Sequence, residues 1–300
     1  MNQIPYLQHG SKVAIAAPAR MVTREEMQFA IAWLKNKGFL PVYDDRLFAQ
    51  HHIFAGDDDF RASVMQNYLD DDSIEAIWLA RAGYGCIRII DKLDFTNFVK
   101  RPKWIVGFSD ATVFHGKLNR LGMSSLHATM PYFFEEKTQE AQQSLLDALV
   151  GRPLHYEFFS YPLNRMGAVT GKLVGGNLSV LYGMMGSDSF PEVDGKILFI
   201  EEVDEYIYHV DRMMRGLKRA GKLARLKGLI VGGLTKIHDN PLPFGQSVEE
   251  VIADAVGEYT YPVCFNFPAG HFTDNRAIIF GSSVSLEVTD KQSVTRQFCS

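Results

Sequence analysis

Apolar residues follow two rhythms along the first half of the chain. Residues 13–17, 39–43, 76–80 and 104–108 are short, nearly unbroken apolar runs, the signature of buried strands. Between them the spacing is helical. Met27, Ile31 and Leu34 form one stripe, and Phe60, Val64 and Tyr68 a second. Residues 87–93 form a third helical segment, and a fourth begins at Asp110 and ends at Gly122. Thr23 with Glu26 reads as a capping box that starts the first helix. Asp57, Asp58 and Asp59 open the second, where negative charge favours a helix N-terminus, and Asp70, Asp71 and Asp72 read as a solvated turn. This βαβαβαβα alternation predicts an α/β fold whose N-terminal domain is a doubly wound parallel sheet with helices on both faces.

The rhythm changes after a helix over 139–150. Residues 151–166 carry Pro153, Pro162 and several aromatics with little periodicity, so a linker is expected there. It separates an N-terminal domain, 1–150, from a C-terminal α+β domain, 167–300. In that second half, 167–174, 196–203 and 229–231 read as strands. Asp204 reads as the cap of a helix carrying Ile207, Val210, Met214 and Leu217 on one face. Segments 262–267, 277–280 and 284–288 are strand-like, with Ser283 in a hairpin turn between the last two.

Composition narrows the function classes. The 300 residues are 46% hydrophobic and 22% charged, with a formal net charge of −4 and both signs scattered. That argues against nucleic-acid or membrane-surface binding as the main task. The three cysteines, Cys86, Cys264 and Cys299, suggest no disulfide framework and a reducing compartment. No signal-peptide pattern opens the chain and no apolar run reaches the roughly 20 residues of a membrane span, so a cytoplasmic location is expected.

Candidate chemistry centres on Gly107-Phe108-Ser109-Asp110. Here a buried strand runs into a tight turn and then a helix, the arrangement that exposes a nucleophilic hydroxyl above a helix N-terminus. Gly-x-Ser also occurs at Ser124, Ser247 and Ser283, but Ser124 follows a helix, Ser247 forms a capping box with Glu250, and Ser283 lies between strands. The bland alternative for Ser109 is a plain helix cap. Gly83 and Gly85 end the preceding strand on the same sheet edge, where parallel sheets bind ligands. Their Gly-Tyr-Gly does not extend to a dinucleotide fingerprint, because Arg88 occupies the third glycine position.

A nucleophilic serine needs a base and an orienting group. His271 lies in the Gly/Pro-bounded loop 268–273. His127 is its rival, and His115 faces along the helix after Ser109. Glu201 and Glu202 end an apolar strand and must point to opposite faces, so one can enter a cleft. There is no His-Glu-x-x-His and no paired cysteine, so no metal or cofactor is expected. Acidic residues are plentiful, but no pair stands out for glycosidase chemistry.

Taken together, these residues resemble the LD-carboxypeptidase family, serine peptidases of the S66 type. The resemblance rests on residues 10–18, on Phe54-Ala55-Gly56 with Asp58 and Arg61, and on 74–77 leading to Arg81-Ala82-Gly83-Tyr84-Gly85 and Arg88. It continues through Gly107-Phe108-Ser109-Asp110, Gly175-Gly176-Asn177-Leu178, and 198–203 with Glu205, Tyr208, Asp211 and Arg212, to Gly270-His271. Ala82 departs from it, standing where the family usually has glycine. The resemblance implies a Ser-His-Glu triad of Ser109, His271 and Glu201, with the active site between the two domains. It implies cytoplasmic homodimers that remove the terminal D-alanine from murein tetrapeptides during cell-wall recycling. The Asp110 backbone N–H, with Gly85 from the neighbouring turn, is the expected oxyanion hole. Arg81 and Tyr84, on the same edge, are the expected substrate contacts, Arg81 for the free carboxylate. Two alternatives remain. One is a relative in the same superfamily, the microcin C immunity peptidases, acting on a peptidyl-nucleotide. The other is a non-catalytic small-molecule binding protein that uses Ser109 as an anion-binding helix cap.

Overall fold

The structure is a computed structural model that describes residues 4–297; Cys299 lies outside the described residues. Among the described residues the strands run in chain order as β1 Lys12–Ala16, β2 Leu40–Val42, β3 Ala76–Leu79, β4 Trp104–Gly107, β5 Ser125–His127, β6 Leu154–Phe159, β7 Gly167–Asn177, β8 Ile197–Val203, β9 Gly228–Thr235, β10 Val263–Cys264, β11 Ile278–Phe280, β12 Ser283–Val288 and β13 Gln292–Gln297. The helices are α1 Arg24–Asn36, α2 Asp58–Asp70, α3 Cys86–Ile89, α4 Thr96–Lys100, α5 Thr112–Arg120, α6 Gln139–Leu149, α7 Leu178–Gly183, α8 Ile207–Arg219 and α9 Val248–Ala255.

The first sheet has the order β11-β5-β4-β3-β1-β2. Its first five strands in the chain pair in parallel, as the alternating pattern predicts. Successive residues of β1 serve opposite faces. Val13 and Ile15 pack with Met27, Trp33 and Leu34 of α1 and Leu145, Ala148 and Leu149 of α6. Ala14 and Ala16 face the side covered by α2 and α5. The capping boxes of Thr23 with Glu26 and of Ser247 with Glu250 are both formed.

The second sheet has the order β10-β9-β8-β7-β12-β13-β6. It is mixed: β7, β8, β9 and β10 pair in parallel, while β12, β13 and β6 pair antiparallel. The expected linker, 151–166, is corrected here, because it holds β6. Leu154 and Tyr156 are buried while His155 and Glu157 are exposed, a period-two alternation that the flanking prolines mask in the sequence. The expected hairpin at Ser283 is also corrected. β11 pairs with β5 in the first sheet and β12 with β7 in the second, so residues 281–282 carry the chain from one sheet to the other. Among the described residues no helix is long and apolar enough to cross a membrane, and no group of three or more His, Cys, Asp or Glu side chains could hold a metal ion.

Candidate active site

β4 is buried throughout and delivers the chain to Ser109. Phe108 is still extended at φ −147°. Ser109 then turns to φ 62°, a conformation costly for a residue with a Cβ and typical of functional turns. A 3₁₀ turn, Ser109–Ala111, leads directly into α5. The end of β4 is pinned from below by His115. Its Nε2–H donates to Gly107 O at 2.9 Å, and its Nδ1 accepts from the Ser125 hydroxyl at 2.8 Å. The carbonyl can only accept, which settles the tautomer. Burial pushes this imidazole down to about 4, so it is neutral at pH 7.

His271 faces the serine from the other half of the chain, with Nε2 2.9 Å from Ser109 Oγ. Its Nδ1 lies 2.6 Å from Glu201 Oε2, at the carboxyl end of β8. The carboxylate accepts, so Nδ1 carries the proton and Nε2 presents a lone pair to the hydroxyl. The loop that aims this imidazole is fixed at Gly270, at φ 130°, whose N–H donates to Asn275 Oδ1 at 2.8 Å. A Cβ at Gly270 would stand 3.1 Å from Gly233 N and 3.2 Å from Glu201 Cβ, so the loop sits as close to β8 and β9 as a glycine allows.

The alternation along β8 separates the two carboxylates. Glu201 is fully buried against His271. Glu202 turns the other way and accepts from Asn177 Nδ2 at 3.0 Å, Ser179 N at 2.7 Å and Val203 N at 2.9 Å. Burial raises the Glu202 carboxyl, and the hydrogen bonds from Val203 and Asn177 oppose it. It secures the turn from β7 into α7. Asp204 does not cap α8 as expected: it sits at φ 58° and accepts from His238 Nε2 at 2.7 Å, while Tyr206 holds the N-cap position.

The two turns at the carboxyl edge of the first sheet are locked together. Asp110, immediately after Ser109, is buried, and its Oδ2 accepts from Cys86 N at 2.8 Å. Burial is the main force raising its carboxyl. The Gly85 carbonyl accepts from Arg61 Nη1 at 3.0 Å, and the same buried guanidinium bonds Pro18 O, Gly56 O and Asp58. A Cβ at Gly85 would stand 2.9 Å from Arg61 Nη1 and from Ala19 Cα, so glycine is required at this turn. The expected oxyanion donors, Asp110 and Gly85, therefore lie on adjoining, braced turns.

The remaining candidates separate clearly. Arg81 is engaged within the protein: its guanidinium stacks 3.7 Å above the Tyr132 ring, donates to Met21 O at 3.4 Å, and lies 3.9 Å from Glu26. Tyr84 is exposed, with its ring 6.3 Å from that of Phe54. His127 is fully buried among Phe108, Phe199 and Phe280, and neither of its ring nitrogens has a hydrogen-bond partner among the described residues. Burial pushes it far below its ordinary value. Ser247 caps α9 and Ser283 begins β12.

Three residues support the site without being among its expected members. Arg61 carried a signal, since it occupies the apolar stripe of α2 one and two turns before Met65 and Tyr68. Asn275 and Thr112 carried none. The Thr112 hydroxyl accepts from Asn177 N at 2.9 Å, across the seam between the halves. A Cβ at Gly176 would come within 2.3 Å of that hydroxyl.

Comparison with known proteins matches residues 13–128 to the LD-carboxypeptidase N-terminal domain and residues 170–286 to the LD-carboxypeptidase C-terminal domain. A probable murein peptide carboxypeptidase of Bacillus subtilis is 28% identical over 96% of this chain and 92% of its own. A putative carboxypeptidase of Rickettsia conorii is 31% identical over 91% of this chain and 87% of its own. The crystal structure of muramoyltetrapeptide carboxypeptidase from Oxalobacter formigenes superimposes with a TM-score of 0.87 at 26% identity, covering 96% of this chain and 98% of that one.

Proposed function

The chain belongs to the LD-carboxypeptidase family, and on that premise we propose that it is a serine carboxypeptidase releasing the terminal D-alanine from murein tetrapeptides. The observation that carries this reading is the unbroken chain from Ser109 Oγ through His271 to Glu201, at 2.9 and 2.6 Å, with the serine held at φ 62°. His271 Nε2 takes the hydroxyl proton as Ser109 Oγ attacks the carbonyl of the L-configured residue before D-alanine. Glu201 orients the imidazole and stabilises the imidazolium that forms. The backbone N–H of Asp110, with Gly85 beside it, receives the oxyanion; loss of one such donor typically costs roughly 10²–10³-fold in rate. His271 then returns the proton to the departing amine of D-alanine. A water, deprotonated by the same imidazole, hydrolyses the acyl-enzyme and frees the serine. The setting that goes with this reaction is cytoplasmic recycling of peptidoglycan by a homodimer.

The test is release of D-alanine from purified L-Ala–γ-D-Glu–diaminopimelate–D-Ala with chelator present, wild type beside Ser109→Ala. Wild type is expected to turn over, and the variant to lose on the order of 10⁴–10⁶-fold. Release that survives the substitution would sink the serine mechanism. No release by wild type would move the substrate to a peptidyl-nucleotide, tested in the same assay. Binding of either substrate without turnover would favour a non-catalytic binding protein.

A further inference from the structure

One cation at the carboxyl edge of the first sheet is uncommitted. Arg20 stands just beyond β1, where β1 lies between β2 and β3 and the strand order turns back. In parallel sheets that crevice is where ligands enter. The Arg20 backbone bridges to Phe54, and its side chain is exposed and lies across Gly83. A Cβ on Gly83 would stand 2.7 Å from both Cδ and Nε of Arg20, so the bare glycine, at φ 109°, forms the bed on which the side chain rests. Gly83 belongs to the turn whose Cys86 N–H is held by Asp110, the neighbour of Ser109. Arg20 is close enough for its charge to favour ionised Asp110.

The other arginines of this edge have partners. Arg61 is buried and bonded to three carbonyls and Asp58. Arg88 pairs with Asp58 at 2.7 Å, and Arg81 is stacked on Tyr132. Among the described residues the Arg20 guanidinium has no hydrogen-bond or ion-pair partner.

A carboxypeptidase must recognise a free carboxylate one residue beyond the bond it breaks, roughly 3.5 Å along an extended chain. The receptor therefore has to stand beside the nucleophile's turn, and a guanidinium meets a carboxylate with two parallel N–H donors. We propose that Arg20 binds the free α-carboxylate of the residue to be released and so restricts the enzyme to chain ends. This inference rests on the carboxypeptidase reading and deepens it.

Steady-state kinetics of wild type, Arg20→Ala, Arg20→Lys and Arg81→Ala on the tetrapeptide and on its C-terminal carboxamide test it, with melting temperatures to establish that each variant is folded. Arg20→Ala is expected to raise KM for the free acid by roughly 10–100-fold, the loss of a charge-assisted contact. The preference for acid over amide should collapse in Arg20→Ala and be partly restored in Arg20→Lys. Wild-type turnover with that preference intact in Arg20→Ala overturns the inference and leaves the carboxypeptidase reading standing. So does collapse in Arg81→Ala instead, which returns the role to Arg81. If wild type cleaves neither peptide, the carboxypeptidase reading falls and takes this inference with it.

Discussion

Adjacent glutamates with opposite fates show what a strand does for a single residue. Period-two alternation along β8 requires Glu201 and Glu202 to part, but alternation alone leaves open which one enters the cleft. The answer lies in the partners: His271 on one side, Asn177 and Ser179 on the other. The two positions should therefore fail differently. Glu201→Gln keeps the shape but offers His271 an amide, which can stabilise the wrong tautomer; kcat is expected to fall about 10⁴-fold with little change in KM. Glu202→Gln leaves the triad in place and disturbs three hydrogen bonds to a buried group. It should cost about 1–3 kcal/mol of stability and leave kcat within a few-fold of wild type. Kinetics and denaturant melts on the two variants decide the matter, and an equal loss of kcat in both would contradict the assignment. Ser109 is marked in the sequence by its strand-turn-helix junction, whereas the Gly/Pro-bounded loop of His271 leaves His127 as a rival, and the choice between them comes from the family resemblance. Arg20 and Asn275 carry no sequence signal, since what distinguishes them, the Arg20 side chain lying across Gly83 and Asn275 accepting from Gly270 N, exists only in space.

Among the elements, α5 bears on the site more than any other helix. It starts from the turn that carries Ser109, brings Thr112 to the seam with β7, and carries His115 back to the ends of β4 and β5. His115 makes this anchorage pH-dependent. Its folded-state value is lowered from 6.5 to about 4 by burial. Between those limits the unfolded chain binds a proton that the folded one refuses, so stability falls as pH drops from about 6.5 towards 4. The gap corresponds to about 3 kcal/mol. Asp110 and Glu202 act in the opposite sense. Burial raises their carboxyls, so the folded state takes up their protons earlier and gains stability on acidification. The His115 contribution is thus isolated by difference: urea melts of wild type and His115→Gln at pH 7, 6, 5 and 4 should show a smaller acid loss in the variant. Parallel profiles would remove His115 from the account. The parallel strands and most helices were readable because their patterns are local, whereas β6 was not. Its alternation of Leu154 and Tyr156 with His155 and Glu157 is short and follows Pro153, and only pairing with β13 gives it meaning.

At the scale of the molecule the chain order misleads about independence. Boundaries at 150 and 167 divide the sequence into two domains, and the family matches divide it similarly, at 13–128 and 170–286. The sheets do not respect that cut. β11, from the C-terminal half, closes the first sheet against β5. One buried core runs from Ile15 and Trp78 to Phe199, Phe267 and Ile278, and the other from Ala14 and Phe114 to Leu178, Val231 and Ile252. Ser109, Glu201 and His271 have the same character: the serine follows β4 of the first sheet, the glutamate is on β8 of the second, and the histidine is on the loop that leads from β10 in the second sheet to β11 in the first. Cores shared in this way couple the unfolding of the halves, because opening either one exposes apolar surface of both. The whole chain is therefore expected to lose secondary structure, tryptophan environment and catalytic competence in one coincident urea transition. Residues 1–150 expressed alone would leave β5 without β11 and one face of both cores bare, and should not give a sharp cooperative melt. Two separated transitions in the full chain, or a well-folded 1–150 fragment, would show that each half carries its own core. The triad would then be assembled by docking of two finished domains, and its geometry would depend on that docking equilibrium instead of on folding itself.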